Sequence, residues 1–250
     1  MTIISFEHKF IFIKTRKAAS TSIEAYLRKF TGSQDVVTYI TPRDEKWCVD
    51  RGWDSKNYAN EKSSESEYVR LCKNGNFDAA LQHLKKVNCL YVNHMPAHDV
   101  KLVLEANGYR WEDFFSFTVD RHPFSWLLSM LLYDNSTYHS TGKCSLNIEN
   151  INKRAVEYIS SDNFSRRLNC NLYSVDGQLL VDEVMHYESL HEDLVRVLTP
   201  ILGGVDLSDF PLLKKNASHL SPREIFDGST LDLLISKVGP ALDLAGYSID

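Results

Sequence analysis

The stretch Phe10-Ile-Phe-Ile-Lys-Thr-Arg-Lys-Ala-Ala-Ser-Thr-Ser-Ile-Glu-Ala-Tyr-Leu-Arg-Lys-Phe30 decides how this chain is read. Phe10, Ile11, Phe12 and Ile13 form an apolar run of aromatic and β-branched residues, which predicts a buried strand. Ile23, Ala25, Tyr26, Leu27 and Phe30 recur at helical spacing. Between these segments stand Lys14, Arg16 and Lys17, then Ala18, Ala19, Ser20, Thr21 and Ser22. A strand therefore runs through a basic, small, hydroxyl-rich turn into a helix. The first turn of a helix has free N–H groups and the positive end of the dipole. Small side chains let a ligand approach that backbone, and cations and hydroxyls complete a phosphate cradle. The competing reading is an ordinary strand–turn–helix with Ser20 or Thr21 as its N-cap. Neither G-x-x-x-x-G-K-[ST] nor G-x-G-x-x-G occurs, which disfavours a nucleoside triphosphatase and a Rossmann dehydrogenase.

At 250 residues, with 43% hydrophobic and 24% charged side chains, the chain fits a single globular domain spanning 1–250. The net charge of −5 argues against a general nucleic-acid binder and suits one small anionic ligand in a local basic pocket. Five cysteines stand singly, with no C-x-x-C pair. This pattern predicts reduced thiols, no zinc site and a cytoplasmic setting. No apolar run approaches the roughly 18 residues of a membrane span, and no signal peptide is evident.

Further along, residues 31–66 look irregular, broken by Gly32, Pro42, Gly52 and a polar cluster at 60–66. An insertion at 33–66 is expected as a surface excursion or as a lid over the acceptor. Helical spacing recurs at 77–86 and 97–106, the latter stopped by Gly108. Residues 87–92 read as a strand delivering Asn93-His94-Met95-Pro96 to a loop. Residues 114–119 read as a strand running into Asp120-Arg121-His122-Pro123. Pro123 then opens an apolar helix. Residues 134–147 are expected as a loop. Helices are expected at 150–160, 161–168 and 189–202, a strand at 181–187, and a loop at 211–220. A last helix at 230–244 is expected to break at Gly239-Pro240. Alternating strands and helices imply a three-layer α/β/α fold with a central parallel sheet and ligands at the strands' carboxyl ends.

Two stretches together, Lys17-Ala-Ala-Ser-Thr-Ser22 and Arg121-His-Pro-Phe-Ser-Trp-Leu-Leu-Ser129, resemble the sulfotransferases that use 3′-phosphoadenosine 5′-phosphosulfate (PAPS). Those enzymes hold the 5′-phosphosulfate on a P-loop-like strand–loop–helix and the 3′-phosphate on an Arg…Ser pair eight residues apart. The likeness is greatest to the carbohydrate branch that includes the uronosyl 2-O-sulfotransferases. That branch has a Lys-x-Ala-Ser-Thr-Ser loop, an Arg-His-Pro turn and a histidine-bearing loop between them, where His94 falls here. The likeness covers about residues 9–133 and continues weakly through Tyr187-Glu188-Ser189-Leu190 to Asp193-Leu194. Ala18 and Ala19 stand where many members have Thr and Gly, and Trp126 stands where Arg is frequent.

The resemblance implies sulfuryl transfer from PAPS to a hydroxyl of a glycan, lipid or small metabolite, leaving adenosine 3′,5′-bisphosphate (PAP), without a metal. Arg16 and the loop Lys17, Ala18, Ala19, Ser20, Thr21 and Ser22 would hold the 5′ end, with Lys17 at the bridging oxygen. Arg121 and Ser129 would grip the 3′-phosphate. Lys215 and Ser218 would contact the donor from a late loop. His94 would be the general base, because imidazole titrates near neutrality; His98 is its rival. Arg supplies a fork matching phosphate. Trp47, Trp53, Tyr58 and Tyr138 suit either sugar stacking or plain packing. Two other readings stand: a kinase-like phosphotransferase and a nucleotide-binding module without turnover.

Overall fold

The computed structural model describes residues 2–139, 148–213 and 221–249, with main chain alone at 134–139, 149 and 240. The apolar run at 10–13 is paired on both sides. Strand β1 (Thr2–Ser5) and strand β2 (Phe10–Ile13) form an antiparallel hairpin, with Thr2 opposite Ile13 and Ser5 opposite Phe10. Helix α1 (Ser20–Leu27) follows, and β3 (Val36–Val37) pairs antiparallel with β1. Helices α2 (Pro42–Val49), α3 (Lys62–Lys73), α4 (Phe77–Leu84) and α5 (Ala97–Ala106) lead to β4 (Phe115–Asp120). β4 lies parallel to β2, Phe10 opposite Phe115 and Ile13 opposite Thr118.

Helices α6 (Pro123–His139), α7 (Ile148–Ile159), α8 (Asp162–Arg167) and α9 (Cys170–Tyr173) come next. A small hairpin, β5 (Ser174–Val175) with β6 (Gln178–Leu179), precedes β7 (Glu183–His186), which lies parallel to β4. Helices α10 (Leu190–Leu202), α11 (Pro222–Ile225) and α12 (Gly228–Ala245) complete the described chain. The central sheet has the order β3-β1-β2-β4-β7.

Alternation along the strands sends side chains to both faces. Ile3, Phe10, Phe12, Phe117, Val119 and Met185 pack with Ile23 and Tyr26 of α1 and Leu194 and Leu198 of α10. Ile4, Ile11 and Ile13 face the other way, into a core shared with α5, α6, α7 and α12. Helices therefore cover both faces, as the alternating pattern predicts. The sheet is mixed, however, not parallel. The short 6–9 connection, with Lys9 at φ 54°, permits only a hairpin, because parallel strands need a long crossover.

Other expectations also change. Residues 31–66 hold β3, α2 and the start of α3, with Pro42 opening α2. Apolar periodicity misses them because buried carboxylates do the anchoring. Glu65 accepts from the N–H groups of Asn57, Tyr58 and Ala59 at 2.9, 2.6 and 2.7 Å. Residues 87–92 are not a strand of the sheet. Both edges of β2 are already taken, so this segment docks on residues 58–60, with Leu90 and Tyr91 N–H reaching the Tyr58 carbonyl. Main-chain helix continues through 134–139, where a loop is expected. α12 is continuous through Gly239-Pro240, because buried Val238, Ala241 and Leu242 hold it on both sides. Burying Val238 and Leu242 at about 1.5–3 kcal/mol each offsets the ~3 kcal/mol disfavour of an internal proline.

Candidate functional site

The tips of the three parallel strands carry the chemistry. At the tip of β2, Lys17 and Ala19 both sit in left-handed conformations, φ 61° and 55°, with Ala18 between them. Alternation of this kind turns successive N–H groups inward into an anion-binding nest. The N–H groups of Ala18, Ala19, Ser20 and Thr21 have no acceptor among the described residues. Left-handed backbone disfavours non-glycine residues by about 1–2 kcal/mol each. The surroundings therefore enforce this shape. Ser20 Oγ donates to the Thr15 carbonyl at 2.6 Å, and Thr15 Oγ1 donates to the Val119 carbonyl on the next strand. Ala19 occupies the N-cap position with no side-chain cap, so neither Ser20 nor Thr21 caps α1.

The hydroxyls of the loop do not all remain available. Ser22 Oγ accepts from Leu213 N–H at 3.0 Å and donates to its carbonyl at 3.3 Å, while Ser20 is held by Thr15. Thr21 is the hydroxyl that makes no bond among the described residues. The Leu213 contact starts the late loop at the cradle's own helix; Lys215 and Ser218 lie outside the described residues.

The cations separate into two kinds. Lys14 is buried and paired with Glu24 at 3.1 Å. Glu24 also pairs with Arg28, and Arg28 with Glu45, at 2.8 and 2.9 Å, in a fully buried chain of charges. Lys14 therefore anchors α1 and α2 rather than pointing an uncompensated charge at a ligand. Arg16 and Arg121 are half-buried and have no carboxylate ion pair among the described residues. Burial lowers the pKa of both, and the charge of Arg167 lowers that of Arg16 further. The Lys17 ammonium lies 4.1 Å from the centre of the Tyr133 ring, a cation–π contact.

At the tip of β4, the Arg121 guanidinium donates through Nη1 to the Lys17 carbonyl at 3.3 Å and stacks 4.2 Å from the Tyr187 ring, beyond the tip of β7. Its Nε is buried with no partner among the described residues. Ser129 is buried on α6, one turn before Tyr133 on the same face. The Tyr133 ring lies at Lys17, so that face of α6 looks toward the cradle. Trp126 belongs to the core behind α6.

His94 sits in the loop before α5 with φ 57°, and its Nδ1 lies 3.1 Å from the Lys14 carbonyl. A carbonyl only accepts, so Nδ1 carries the proton and Nε2 presents the lone pair. Burial, with the charges of Lys14 and Arg16, pushes the imidazole down to about 2. His98 is exposed on the first turn of α5. His122 is engaged structurally. Its Nδ1 accepts from Phe124 N–H at 3.3 Å, and its Nε2 donates to the Ser248 carbonyl at 3.1 Å.

Sequence reading missed Asp120 and Asn169. Asp120 closes an otherwise apolar strand, a visible signal; Asn169 offered none. Asp120 accepts from Arg121 N–H, Asn169 Nδ2 and Tyr173 Oη at 2.7, 2.8 and 2.6 Å. Burial raises its pKa to about 6 against the pull of these bonds. In the insertion, Tyr58 is core, while Trp47 and Trp53 meet edge to face at 5.8 Å over Cys48 and Ile40. The side chain of Tyr138 lies outside those described. Among the described residues no helix is long and apolar enough to cross a membrane.

Compared with protein-family models, with curated proteins and with solved structures, the chain matches none.

Proposed function

We propose that the chain is a PAPS-dependent sulfotransferase acting on a hydroxyl-bearing acceptor. The observation that carries this reading is the contact between the Arg121 guanidinium and the Lys17 carbonyl. It sets two anion-binding groups side by side, a main-chain nest and an arginine, neither of them matched by a carboxylate among the described residues. One ligand bearing two separated phosphates suits that pair. The fit is supported by the open N–H groups at residues 18–21 and by the orphaned Nε of Arg121.

PAPS supplies an activated sulfuryl group when bound. The nest and Thr21 hold its 5′-phosphate. Lys17 places an ammonium where negative charge grows as the S–O bond breaks, and stabilising charge that develops only then raises turnover. Arg121 and Ser129 select the 3′-phosphate. His94 Nε2 takes the acceptor's proton, while the Lys14 carbonyl fixes its tautomer. Burial and the charges of Lys14 and Arg16 hold the ring far below neutrality in the free protein, and the role requires the anionic donor, bound beside those cations, to restore its basicity.

Thermal unfolding with PAP and with ATP tests the reading. At about 100 times its dissociation constant, PAP adds roughly 2.7 kcal/mol of stability. Stabilisation by ATP with none by PAP would transfer the site to the kinase-like reading. PAP binding without transfer to any acceptor would leave a nucleotide-binding module.

A further inference from the structure

The two anion-binding arms come from segments far apart in the chain, yet a closed ring of hydrogen bonds joins them. Asn169 Oδ1 accepts from Arg16 N–H at 2.8 Å, and Asn169 Nδ2 donates to the Arg16 carbonyl at 2.9 Å. The second hydrogen of that amide goes to Asp120 Oδ1 at 2.8 Å. The same carboxylate oxygen receives the Arg121 N–H at 2.7 Å, and Arg121 Nη1 returns to the Lys17 carbonyl at 3.3 Å. Lys17 is joined to Arg16 by one peptide bond, and the ring is complete.

The amide of Asn169 has no alternative arrangement in this ring. Arg16 N–H can only donate and Arg16 C=O can only accept, so the oxygen and nitrogen of the amide are fixed, and both its hydrogens are in use. Asn169 and Asp120 are both buried. Asp120 is surrounded by donors and held without an ion pair among the described residues. A buried polar network in which every member is satisfied rigidifies what it connects. Here it grips both polar groups of the residue that precedes left-handed Lys17.

We propose that Asn169, backed by Asp120, is a positioning residue that holds the nest at Lys17–Ala19 in a set relation to Arg121, so that the 5′ and 3′ ends of one nucleotide are bound as a unit. This rests on the proposed function. Asn169 bonds the 5′ arm directly and reaches Arg121 only through Asp120, so its loss affects recognition of a 5′-phosphate more than that of a nucleotide held by Arg121 only.

The experiment is isothermal calorimetry of adenosine 5′-phosphate, adenosine 3′-phosphate and PAP on the full chain and on Asn169→Ala. PAP affinity should fall at least tenfold in the variant, while that of adenosine 3′-phosphate changes less than twofold. Equal losses for both ligands would make Asn169 a merely structural residue, and unchanged PAP affinity would also overturn the proposal. Asp120→Asn keeps the volume of its side chain and decides the matter if Asn169→Ala does not fold. A selective loss of at least threefold for PAP supports the ring, and an unchanged ratio of the two affinities refutes it. An unsubstituted chain that takes up none of the three nucleotides overturns the proposed function and this inference together. Uptake of all three with an unaltered ratio in the variants overturns the inference alone.

Discussion

Arg121 donates to Lys17 through the main-chain carbonyl of the lysine, not through its side chain, at 3.3 Å. Two cations are thus held beside each other by a peptide group. Removing the lysine's charge leaves the bond intact, whereas removing the guanidinium dismantles it.

Lys17→Ala should therefore lower sulfuryl transfer by about 10²–10³-fold, as for loss of one group that stabilises developing charge. Its PAP affinity should stay within tenfold of the parent. Arg121→Ala should lose both affinity and turnover. Steady-state kinetics with labelled PAPS, paired with calorimetry, separates the two patterns. Equal effects of both variants on binding and rate would contradict the division of roles.

The left-handed backbone at Ala19 makes a stability prediction independent of any ligand. Ala19→Gly relieves about 1–2 kcal/mol of steric disfavour and adds about 0.4–1 kcal/mol of unfolded-state freedom. Chemical denaturation should show it neutral to stabilising. Ala25→Gly, in the middle of α1 and fully buried, should lose 1 kcal/mol or more. Matching losses at both positions would mean that residue 19 is not held left-handed.

His94 is neutral across the working pH range, because burial and the neighbouring cations hold it down to about 2. A histidine NMR titration of the free protein should leave this ring unprotonated at pH 5. A midpoint near 6.5 would show that the ring is solvated and not buried at the Lys14 carbonyl. His94→Gln should keep PAP affinity and lower turnover by about 10²–10⁴-fold.

Asp120 and His94 give stability opposite dependences on pH. Asp120 has its folded pKa raised from 3.8 to about 6, so the native state binds the extra proton between those values. Its contribution is largest below about pH 4 and is lost as pH rises through 6, by on the order of 3 kcal/mol. His94, with its folded pKa depressed, adds stability as pH rises from about 2 to 6.5. Urea denaturation from pH 4 to 7 should show the stability of the parent falling relative to Asp120→Asn. A constant difference would mean that Asp120 ionises normally.

Much of the fold is legible where apolar residues do the anchoring. The run at 10–13, the helix at 97–106 and the strand before Arg121 stand where their spacing puts them. The reading fails where buried charge does the same work, as Glu45 and Glu65 do around α2 and α3. It fails also at 87–92, where the residues have strand character but β1 and β4 already occupy both edges of β2. Within the candidate site, cations and hydroxyls announce themselves, but their partners do not. Nothing in Lys14 foretells that Glu24 neutralises it, and nothing in Asn169 foretells the clamp on Arg16. Those facts belong to tertiary contacts between segments far apart in the chain.

The parallel pairing of β2, β4 and β7 has a kinetic consequence. Thr118 Oγ1 donates to the Ile13 carbonyl across 105 positions, and Ser116 Oγ to Asp182 across 66. Such closures carry their entropic cost before any contact rewards them, and chains dominated by them fold slowly. α1 and α5 form from local bonds, but the cradle faces Arg121 only after the distant strands have met. The site therefore has no existence in any segment taken alone, and its lysine and arginine meet only where β2 and β4 are paired.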